Sequence, residues 1–457
     1  MAFNFNTDKI ILFDGAMGTM LQKLGLKAGE LPEMLNLTAG EKITSIHRTY
    51  LEAGADAVYT NTFGINRFKA QTAGVSVETI VKAAVQNARN ACKGFQDKAV
   101  ALDIGPCGKI LKPAGDLEFE DAVKVFAEVV RAGRDADFII LETFTDLYEL
   151  KAAVLAAKEN SDLPIAATMS FEADGTSFFG ATIETMTATL EGLGVSALGL
   201  NCSLGPKQLE PLVDRFLACS PLPVIIKPNA GLPVIKDGQT CYDVTKEEFA
   251  KTVAGFAKKG TAIVGGCCGT TPEYIALLKK ELDGVTRKSC KAEEKTVLCS
   301  ASKLAEVGGR LDIIGERINP TGKKRLQQAL REKDYSYLLR EAVKQQEQGA
   351  DVLDVNVGLP ELDETEMLVK AVKEIQSVTD LPLQLDSSNS KALERAARIY
   401  NGKPLINSVN GKRESLESIL PIVKKYGCAV LGLTLDEKGI PQTAEERAEI
   451  AGRIIEA

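Results

Sequence analysis

Three of the ten cysteines are placed where they could hold a metal ion. Cys202 follows one short apolar run, and Cys267 and Cys268 follow another that is rich in glycine. His47 is the only histidine, so a histidine zinc site, a Ser-His-Asp triad and a Cys-His dyad all lack a residue that they need. Any metal chemistry of this chain must therefore use sulfur or oxygen ligands.

Three thiolates leave one position of a tetrahedral zinc ion open, which is typical of a catalytic site. A substrate thiol could fill that position, and coordination would ionise a thiol whose ordinary pKa is about 8.5. The thiolate could then attack a methyl group. Three other interpretations stay open: cysteines that pack as small apolar side chains, a vicinal disulfide, and a phosphate cradle before a helix that starts at Thr271-Pro272.

The elements that must position these cysteines alternate between strands and helices. Runs rich in Val, Ile and Ala are each followed by a segment of helical period, which is typical of an α/β protein built as a parallel (β/α)8 TIM barrel. The predicted strands are 10–14, 57–61, 99–104, 138–142, 165–170, 197–201, 224–227 and 262–265. The predicted helices are 41–54, 77–93, 120–134, 146–159, 182–192, 206–218, 245–258 and 272–282. A doubly wound sheet is the alternative, but it usually has fewer strands.

A TIM barrel would bring the cysteines together. Cys202 ends the sixth predicted strand and the Cys267-Cys268 pair ends the eighth, and the carboxyl ends of all strands meet at one rim. Glycines beside the pair permit a bend that turns both of its sulfurs toward one centre. His47 lies on the predicted helix 41–54, away from this rim, and we expect it to have a structural role.

A second α/β series follows the first barrel, which we assign to residues 1–285. Residues 286–308 are charged and show little strand pattern, which predicts a linker. The strands predicted after it are 311–315, 352–355, 383–385, 405–406 and 429–433, with helices that include 337–348, 415–426 and 443–457. Five strands are too few for a complete barrel, so we expect an incomplete second TIM-type barrel over residues 309–457.

The composition excludes several classes of protein. With 457 residues, 45% of them hydrophobic and 26% charged, the chain is an ordinary globular protein of two or three domains. Its net charge of −7 argues against a nucleic-acid partner, because phosphate recognition needs a basic surface. The sequence shows neither a secretory leader nor about 18 consecutive apolar residues, so we expect a cytoplasmic protein with no membrane partner.

Four runs of the first barrel together resemble the homocysteine methyltransferase family: DGAMGT (14–19), NCS (201–203), PNAG (228–231) and GGCCGT (265–270). The resemblance implies that Cys202, Cys267 and Cys268 bind zinc and the sulfur of homocysteine. The substrate-binding residues that it implies are Asp14, Gly15, Glu142 and Asn229. Asp14 and Glu142 would hold the substrate's ammonium group, and Asn229 would lie near the metal. From the residues alone, Asp14 could equally be a turn residue and Glu142 a member of a buried ion pair.

Polar side chains also end the strands of the second series. The candidates for contact with a pterin are Glu316, Asn319, Asp354, Asn356, Asp386 and Asn407. Carboxylates and Asn amides suit the amide and aminopyrimidine edges of a pterin. As a constellation they resemble the pterin-binding family, which includes dihydropteroate synthases and folate-dependent corrinoid methyltransferases. The order of the two barrels is similar to that in the cobalamin-dependent methionine synthase family.

These resemblances imply methyltetrahydrofolate in the second barrel, homocysteine in the first, and methylcobalamin as the carrier between them. The corrinoid would come from a cobalamin-binding module or protein, because a cobalamin-binding Asp-x-His-x-x-Gly run is not found around the single histidine. We therefore predict a zinc-dependent methyltransferase that transfers a methyl group from methylcobalamin to homocysteine and forms methionine. The alternatives are another donor such as betaine or S-methylmethionine, a folate- or corrinoid-binding module without turnover, and a pteroate synthase.

Overall fold

The computed structural model describes residues 3–27, 29–236, 239–288, 292–293 and 295–457. The chain divides into two compact units. Unit 1 comprises Met1–Ile183 and Val195–Glu293, and unit 2 comprises Glu184–Gly194 and Glu294–Ala457. The division near residue 294 falls inside the segment predicted as a linker.

Unit 1 contains a sheet of eight parallel strands, counted over its described residues. The strands before residue 265 are β1 (Ile11–Leu12), β2 (Ala57–Tyr59), β3 (Ala99–Ile104), β4 (Phe138–Phe144), β5 (Ile165–Met169), β6 (Ala197–Asn201), β7 (Val224–Lys227), β8 (Pro233–Lys236), β9 (Gln239–Tyr242) and β10 (Ile263–Val264). The sheet has the order β1-β10-β7-β6-β5-β4-β3-β2, and a bridge between Phe13 and Ala57 joins its two ends. The predicted (β/α)8 TIM barrel is confirmed.

Helices connect these strands and include the eight that the sequence predicts, each within two residues at both ends. They are α1 (Met17–Lys23), a 3-10 helix (Pro32–Met34), α2 (Leu35–Thr38), α3 (Gly40–Glu52), α4 (Arg67–Ala73), α5 (Val77–Cys92), α6 (Phe119–Ala132), α7 (Leu147–Asn160), α8 (Ile183–Gly192), α9 (Pro206–Cys219), α10 (Lys246–Lys259) and α11 (Pro272–Glu281). Side-chain caps help to set these bounds, since the Ser76 and Thr245 hydroxyls and the Asp146 carboxylate accept N–H groups of the first turns of α5, α10 and α7. Our prediction did not include α1, α2 and α4, which have two turns or fewer and so carry little periodic signal.

Small and aromatic side chains fill the interior of the barrel. Alanines on β2, β3, β5 and β6 are fully or almost fully buried, and their size leaves room for rings from β4 and from the segment after β1. Phe13 and Phe138 stack with ring centroids 5.6 Å apart, and Phe5 meets Phe138 edge to face at 5.1 Å. This apolar plug lies toward the start of the strands, and the polar residues at their carboxyl ends form a separate mouth.

An antiparallel hairpin of β8 and β9, which the sequence analysis did not predict, follows β7. Its base is closed by a hydrogen bond from the Val244 N–H to the Ala230 carbonyl (3.0 Å) and by one from the Leu232 N–H to the Asp243 carboxylate (3.1 Å). Each strand has four residues and the first begins with Pro233, so there is too little alternation for a sequence pattern to reveal it. The hairpin ends at Tyr242, which lies at the mouth of the barrel.

Unit 2 contains a second parallel sheet, with five strands in its described residues, in the order β13-β14-β15-β16-β17. The strands from residue 296 onward are β11 (Thr296–Cys299), β12 (Leu304–Val307), β13 (Ile314–Ile318), β14 (Val352–Val355), β15 (Leu383–Asp386), β16 (Leu405–Asn410) and β17 (Ala429–Leu433). The helices from residue 324 onward are α12 (Lys324–Arg331), α13 (Tyr335–Glu347), α14 (Glu364–Gln376), α15 (Ser390–Ile399), α16 (Arg413–Tyr426) and α17 (Ala444–Glu456). Consecutive strands that pair in parallel through helices agree with the predicted TIM-type arrangement. Among the helices that the structure describes, none combines the length and the apolar character needed to cross a membrane.

Two details of unit 2 differ from the prediction. The first strand of the sheet lies at Ile314–Ile318 instead of 311–315, and Leu311 is 85% exposed, so an apolar residue there does not mark a strand. The expectation of little strand in 286–308 is wrong, because β11 and β12 form an antiparallel hairpin whose turn is stabilised by the Ser300 hydroxyl. Residues 289–291 and 294 of the predicted linker lie outside the described residues.

Replacement of Gly199 by Ala should destabilise unit 1. A Cβ at Gly199 in β6 would lie 1.9 Å from the Ile225 carbonyl oxygen in β7, so the two strands would have to separate. We expect a loss of about 2 kcal/mol or more, as for other overpacked core positions. Gly255→Ala in α10 is the matched control, because its Cβ meets nothing within 4 Å and should add about 0.5–1 kcal/mol. Urea unfolding followed by circular dichroism measures both, and a Gly199→Ala protein of wild-type stability would contradict the packing described here.

His47 should make the stability of the protein depend on pH. Its ring is fully buried in α3, neither ring nitrogen has a partner in the part of the chain that the structure describes, and burial lowers its pKa to about 4. Between pH 6.5 and 4 the unfolded chain binds a proton that the folded chain does not, so stability falls as the pH falls. Relative to His47→Phe, the wild-type protein should lose about 2 kcal/mol of unfolding free energy between pH 7 and pH 5. Parallel pH curves for the two proteins would show that the histidine is accessible to protons in the folded state.

Candidate metal centre and substrate pocket

The barrel brings the three predicted cysteines to one point at its mouth. The Sγ atoms of Cys202, Cys267 and Cys268 all lie within 4.8 Å of one another, and those of Cys202 and Cys268 are 3.9 Å apart. A tetrahedral zinc ion with zinc–sulfur bonds of about 2.3 Å holds its sulfur ligands about 3.8 Å apart. The donor set and its spacing therefore fit zinc with one position left for another ligand.

The backbone around the cysteines adopts conformations that turn their sulfurs toward each other. Cys202 has a φ of +63°, which L residues adopt rarely, and its N–H donates to the Lys227 carbonyl at 3.0 Å. The Cys267 N–H donates to the Pro228 carbonyl at 2.8 Å. Gly269 has a φ of +82°, and a Cβ there would meet the Tyr242 ring. Glycine is therefore required directly after the cysteine pair.

The three thiols do not ionise readily without a cation. A hydrogen bond with Cys267 lowers the pKa of Cys202, but the hydrogen bond with Cys268 and burial raise it, to about 11. For Cys268 the hydrogen bond with Cys202 lowers the pKa, and the charge and hydrogen bond of Cys267 raise it, to about 12. A divalent ion that replaces the protons would make all three sulfurs thiolates, which is the usual behaviour of cysteine ligands.

Asn201 joins the cysteine cluster to the rest of the mouth. Its side-chain oxygen accepts from the Thr168 hydroxyl (2.7 Å) and from the Thr143 N–H (2.9 Å). Its amide nitrogen donates to the Thr143 hydroxyl (2.7 Å) and lies 3.7 Å from the Cys267 sulfur and 3.5 Å from a Glu142 oxygen. One buried amide thus ties β4, β5 and β6 to a metal-ligand candidate, which holds the cluster in place.

A cavity of about 380 Å³ opens beside the cysteines. Its lining includes all three sulfur residues and the predicted substrate residues Asp14, Gly15 and Glu142. Gly15 has no room for a side chain, because a Cβ would lie 2.6 Å from the Thr270 hydroxyl. Burial raises the pKa of both Asp14 and Glu142, while the nearby Lys227 ammonium lowers it. The structure therefore places negative charge and the thiol cluster in the same space.

Asn229, the fourth predicted substrate residue, is buried in the loop after β7. Its N–H donates to the Leu204 carbonyl at 3.2 Å, and its side-chain oxygen has no hydrogen-bond partner within the described residues. The loop is held next to the cysteines, because the Ala230 N–H donates to the Cys268 carbonyl at 2.8 Å. An unpaired buried amide oxygen at this place is available to a ligand.

Lys227, which the sequence analysis did not select, lies at the centre of the pocket. Its ammonium is 3.4 Å from an Asp14 oxygen and 3.9 Å from a Glu142 oxygen, and it stands 3.5 Å from the centroid of the Tyr59 ring. Burial alone would lower the pKa of Lys227, but Asp14 and Glu142 raise it above its ordinary value. The lysine therefore remains charged although it is only 3% exposed.

Other pocket residues also escaped the sequence analysis. Asp103 is the next-to-last residue of β3 and Tyr242 ends β9, and both line the cavity. Burial and the neighbouring Cys268 raise the pKa of Tyr242 to about 12. A lysine in the apolar run VIIK and an aspartate in the run VALDI were visible signals, because a charge inside a buried strand is unusual. The sequence does not show how close Lys227 and Asp103 lie to each other in the folded chain.

The six residues predicted to contact a pterin form one cluster in unit 2. Two direct hydrogen bonds join four of them in pairs, Asn319 to Glu316 (3.0 Å) and Asn356 to Asp386 (3.0 Å). Asp354 connects the pairs, and its surroundings together raise its pKa to about 6. Burial and the charges of Asp386 and Glu316 raise this pKa, whereas hydrogen bonds with Gln384 and Asn407 lower it. The second oxygen of Asp354 has no partner among the described residues, so this buried cluster offers an acceptor to a ligand.

Two models of known protein families match the chain, one in each unit. The model of the family described as homocysteine S-methyltransferase matches residues 11–282, and that described as pterin binding enzyme matches residues 315–455. The chain is 32% identical to the methionine synthases of Mycobacterium tuberculosis, over 477 aligned residues, and Mycobacterium leprae, over 482. Each alignment covers 98% of this chain and 40% of the relative. The chain thus spans less than half the length of these relatives.

The fold of unit 1 is also found in a solved structure. The metallated form of the homocysteine methyltransferase MmuM from Escherichia coli superimposes with a TM-score of 0.51 and 23% identity, over 60% of this chain and 96% of that one. This likeness supports the barrel fold alone. The family match covers more than half of the chain, including the cysteine cluster and the pocket beside it. The chain belongs to the homocysteine S-methyltransferase family.

Proposed function

We propose that unit 1 binds zinc through Cys202, Cys267 and Cys268 and methylates homocysteine on its sulfur, which forms methionine. Zinc held there would keep the substrate thiol ionised at neutral pH. Methylcobalamin, when bound, would supply the methyl group and keep the electron pair of its methyl–cobalt bond, while Cys202, Cys267 and Cys268 would hold the zinc that presents the substrate sulfur. The proton of the substrate thiol would leave to solvent. Methylcobalamin is the proposed donor.

The observation that carries this proposal is the shared cavity. The sulfur cluster and the acidic residues Asp14 and Glu142 line the same space of about 380 Å³. Homocysteine has a thiol at one end and an ammonium group at the other, so it matches both features at once. We assign Gly15 and Asn229 to the same substrate site: Gly15 lines the cavity without a side chain, and Asn229 has an unpaired buried amide oxygen in the adjacent loop.

Unit 2 supports a folate-linked route for the methyl group. Its pterin-binding match and its cluster around Asp354 suit methyltetrahydrofolate, which would recharge the corrinoid. We propose that Glu316, Asn319, Asp354, Asn356, Asp386 and Asn407 hold this folate. These features favour the corrinoid route over betaine or S-methylmethionine, which would need no pterin site. The corrinoid would be supplied by a cobalamin-binding module or protein, and the cytoplasm stays our prediction for the compartment.

Replacement of any one of the three cysteines by serine should abolish zinc binding and turnover together. We expect a larger loss of zinc affinity than the roughly 10–100-fold that follows removal of a ligand's hydrogen-bond partner. Zinc per chain and methylation of homocysteine by added methylcobalamin are the two measurements. Cys92→Ser, on α5 and outside the cluster, is the matched control and should keep both.

Zinc K-edge absorption of the same proteins tests the substrate thiol directly. The wild-type spectrum should show three sulfur ligands, and a fourth should appear when homocysteine is added. An active variant without zinc, or a zinc shell that homocysteine leaves unchanged, would refute the proposed chemistry.

Asp354→Asn and Asn407→Ala should weaken the binding of methyltetrahydrofolate by about 10-fold or more, because each removes a partner for the pterin edge. Homocysteine binding should not change. Asp380→Asn is the matched control, because the Asp380 carboxylate contacts Gln346 and Lys303 instead of the cluster. Fluorescence titration with methyltetrahydrofolate gives the affinities, and wild-type affinity in both cluster variants would remove the folate site from unit 2.

A further inference from the structure

Four thiolate sulfurs would surround zinc when homocysteine is bound, and only one of them should receive the methyl group. Cys202, Cys267 and Cys268 are half-buried and line the same cavity as the open ligand position, so a methyl donor that reaches the substrate sulfur can also reach theirs. Methylation would turn a cysteine into a neutral thioether and remove a thiolate ligand. The site therefore needs a means of directing the methyl group.

The Asn201 amide supplies a hydrogen-bond donor to Cys267. Its side-chain oxygen accepts from the Thr143 N–H at 2.9 Å, and because that group can only donate, the other end of the amide must be the nitrogen. This nitrogen lies 3.7 Å from the Cys267 sulfur, within hydrogen-bond range for the large sulfur atom. The backbone of β4 therefore fixes the direction in which the amide donates.

Cys268 and Cys202 have donors of their own. The Tyr242 hydroxyl forms a hydrogen bond with the Cys268 sulfur, and the Ser203 N–H donates to the Cys202 sulfur. The Tyr242 ring packs over Gly269, where a Cβ would collide with it, and this contact keeps the hydroxyl beside the cluster. A tyrosine hydroxyl is protonated at neutral pH and can donate to a thiolate. Each cysteine sulfur thus has a donor from a different residue.

A hydrogen bond to a thiolate reduces its power to attack carbon. The bond stabilises the charged form of the sulfur, and the nucleophilicity of a thiolate falls as its basicity falls. Partners of this kind around metal ligands tune the chemistry of a metal site. The substrate sulfur would enter at the open position and receive none of these three bonds, because each donor is already directed to a cysteine.

We propose that these three donors direct the methyl group to the substrate sulfur. The Asn201 amide, the Tyr242 hydroxyl and the Ser203 N–H make the cysteine ligands poorer nucleophiles, so the fourth sulfur reacts and the ligands do not. The proposal rests on the proposed function, which places the substrate thiol on zinc beside the cysteines. Asn201 and Tyr242 are specificity-determining residues in this scheme, because they act through the cysteines that they contact.

Treatment of the zinc-loaded full chain with iodomethane tests the proposal. A cysteine sulfur that reacts uses its electron pair to bond to the methyl carbon, and iodide leaves with the pair of the carbon–iodine bond. Peptide mass spectrometry gives the methylation rate at each of the three cysteines. Tyr242→Phe keeps the ring and removes only the hydroxyl, so methylation of Cys268 should become about 3- to 10-fold faster, while Cys202 and Cys267 keep their rates.

Asn201→Asp applies the same test to Cys267. The substitution keeps the size of the side chain and an oxygen for the Thr143 N–H, but it removes the amide donor. Methylation of Cys267 should become about 3- to 10-fold faster, while Cys202 keeps its rate. Tyr274→Phe is the matched control, because the Tyr274 hydroxyl donates to the Val244 carbonyl (2.8 Å) instead of to a cysteine, and it should leave all three rates unchanged.

Zinc content measured before iodomethane is added separates the outcomes. A rise confined to the cysteine that has lost its donor supports the proposal. Wild-type rates in both variants overturn it. An equal rise at all three cysteines, or loss of zinc from both variants, also overturns it, because the two residues then only hold the cluster in place. None of these results removes the proposed function, which fails instead if the wild-type protein binds no zinc or does not methylate homocysteine with methylcobalamin.

Discussion

Closure of the eight-stranded sheet is the constraint on which the whole site depends. The first and last strands of the barrel, β1 and β10, have only two residues each, and a short series of backbone hydrogen bonds joins these two strands and the residues that follow them. The Phe13 N–H donates to the Val264 carbonyl at 2.8 Å, and the Gly266 N–H donates to the Asp14 carbonyl at 3.0 Å. The last of these bonds connects the residue before the cysteine pair to a predicted substrate residue, so closing the barrel also assembles the pocket.

Charge balance is the second physical requirement of the mouth. A fully buried ammonium is tolerated only with counter-charges, and Lys227 has two carboxylates within 4 Å. The same carboxylates would repel each other without it. The result is a pocket in which the carboxylates outnumber the single ammonium group, next to three cysteine sulfurs that suit a divalent cation. Asn201 links the cysteine cluster to the acidic part of the pocket through its amide group. A shift of the side chains in one of these regions should therefore alter the hydrogen bonds in the other.

The two units use the same architectural principle with different side-chain chemistry. In each unit, polar side chains lie at the carboxyl ends of short parallel strands. Side chains at these ends lie outside the packed interior, so they are free to be polar. Unit 1 places sulfur and charge there. Unit 2 places amides and carboxylates around Asp354, a set that suits hydrogen bonds to a planar heterocycle. The homocysteine S-methyltransferase model matches residues of unit 1 and the pterin binding enzyme model matches residues of unit 2.

The sequence alone determined the barrel strands, the longer helices of unit 1 and the residue types at the strand ends. Periodicity located the strands of the barrel and its longer helices, because a parallel strand or a helix longer than two turns repeats a recognisable pattern of apolar residues. The position of Cys202, Cys267 and Cys268 directly after two of these strands was enough to predict a common site. Hairpins such as β8–β9 were missed because a hairpin lacks the alternation of strand and helix by which the equally short barrel strands were recognised. Only the tertiary structure decided that Lys227 neutralises Asp14 and that one carboxylate oxygen of Asp103 has no hydrogen-bond partner among the described residues. Those relations depend on distances of a few ångströms between strands far apart in the chain, and Coulomb and hydrogen-bond energies change steeply over such distances.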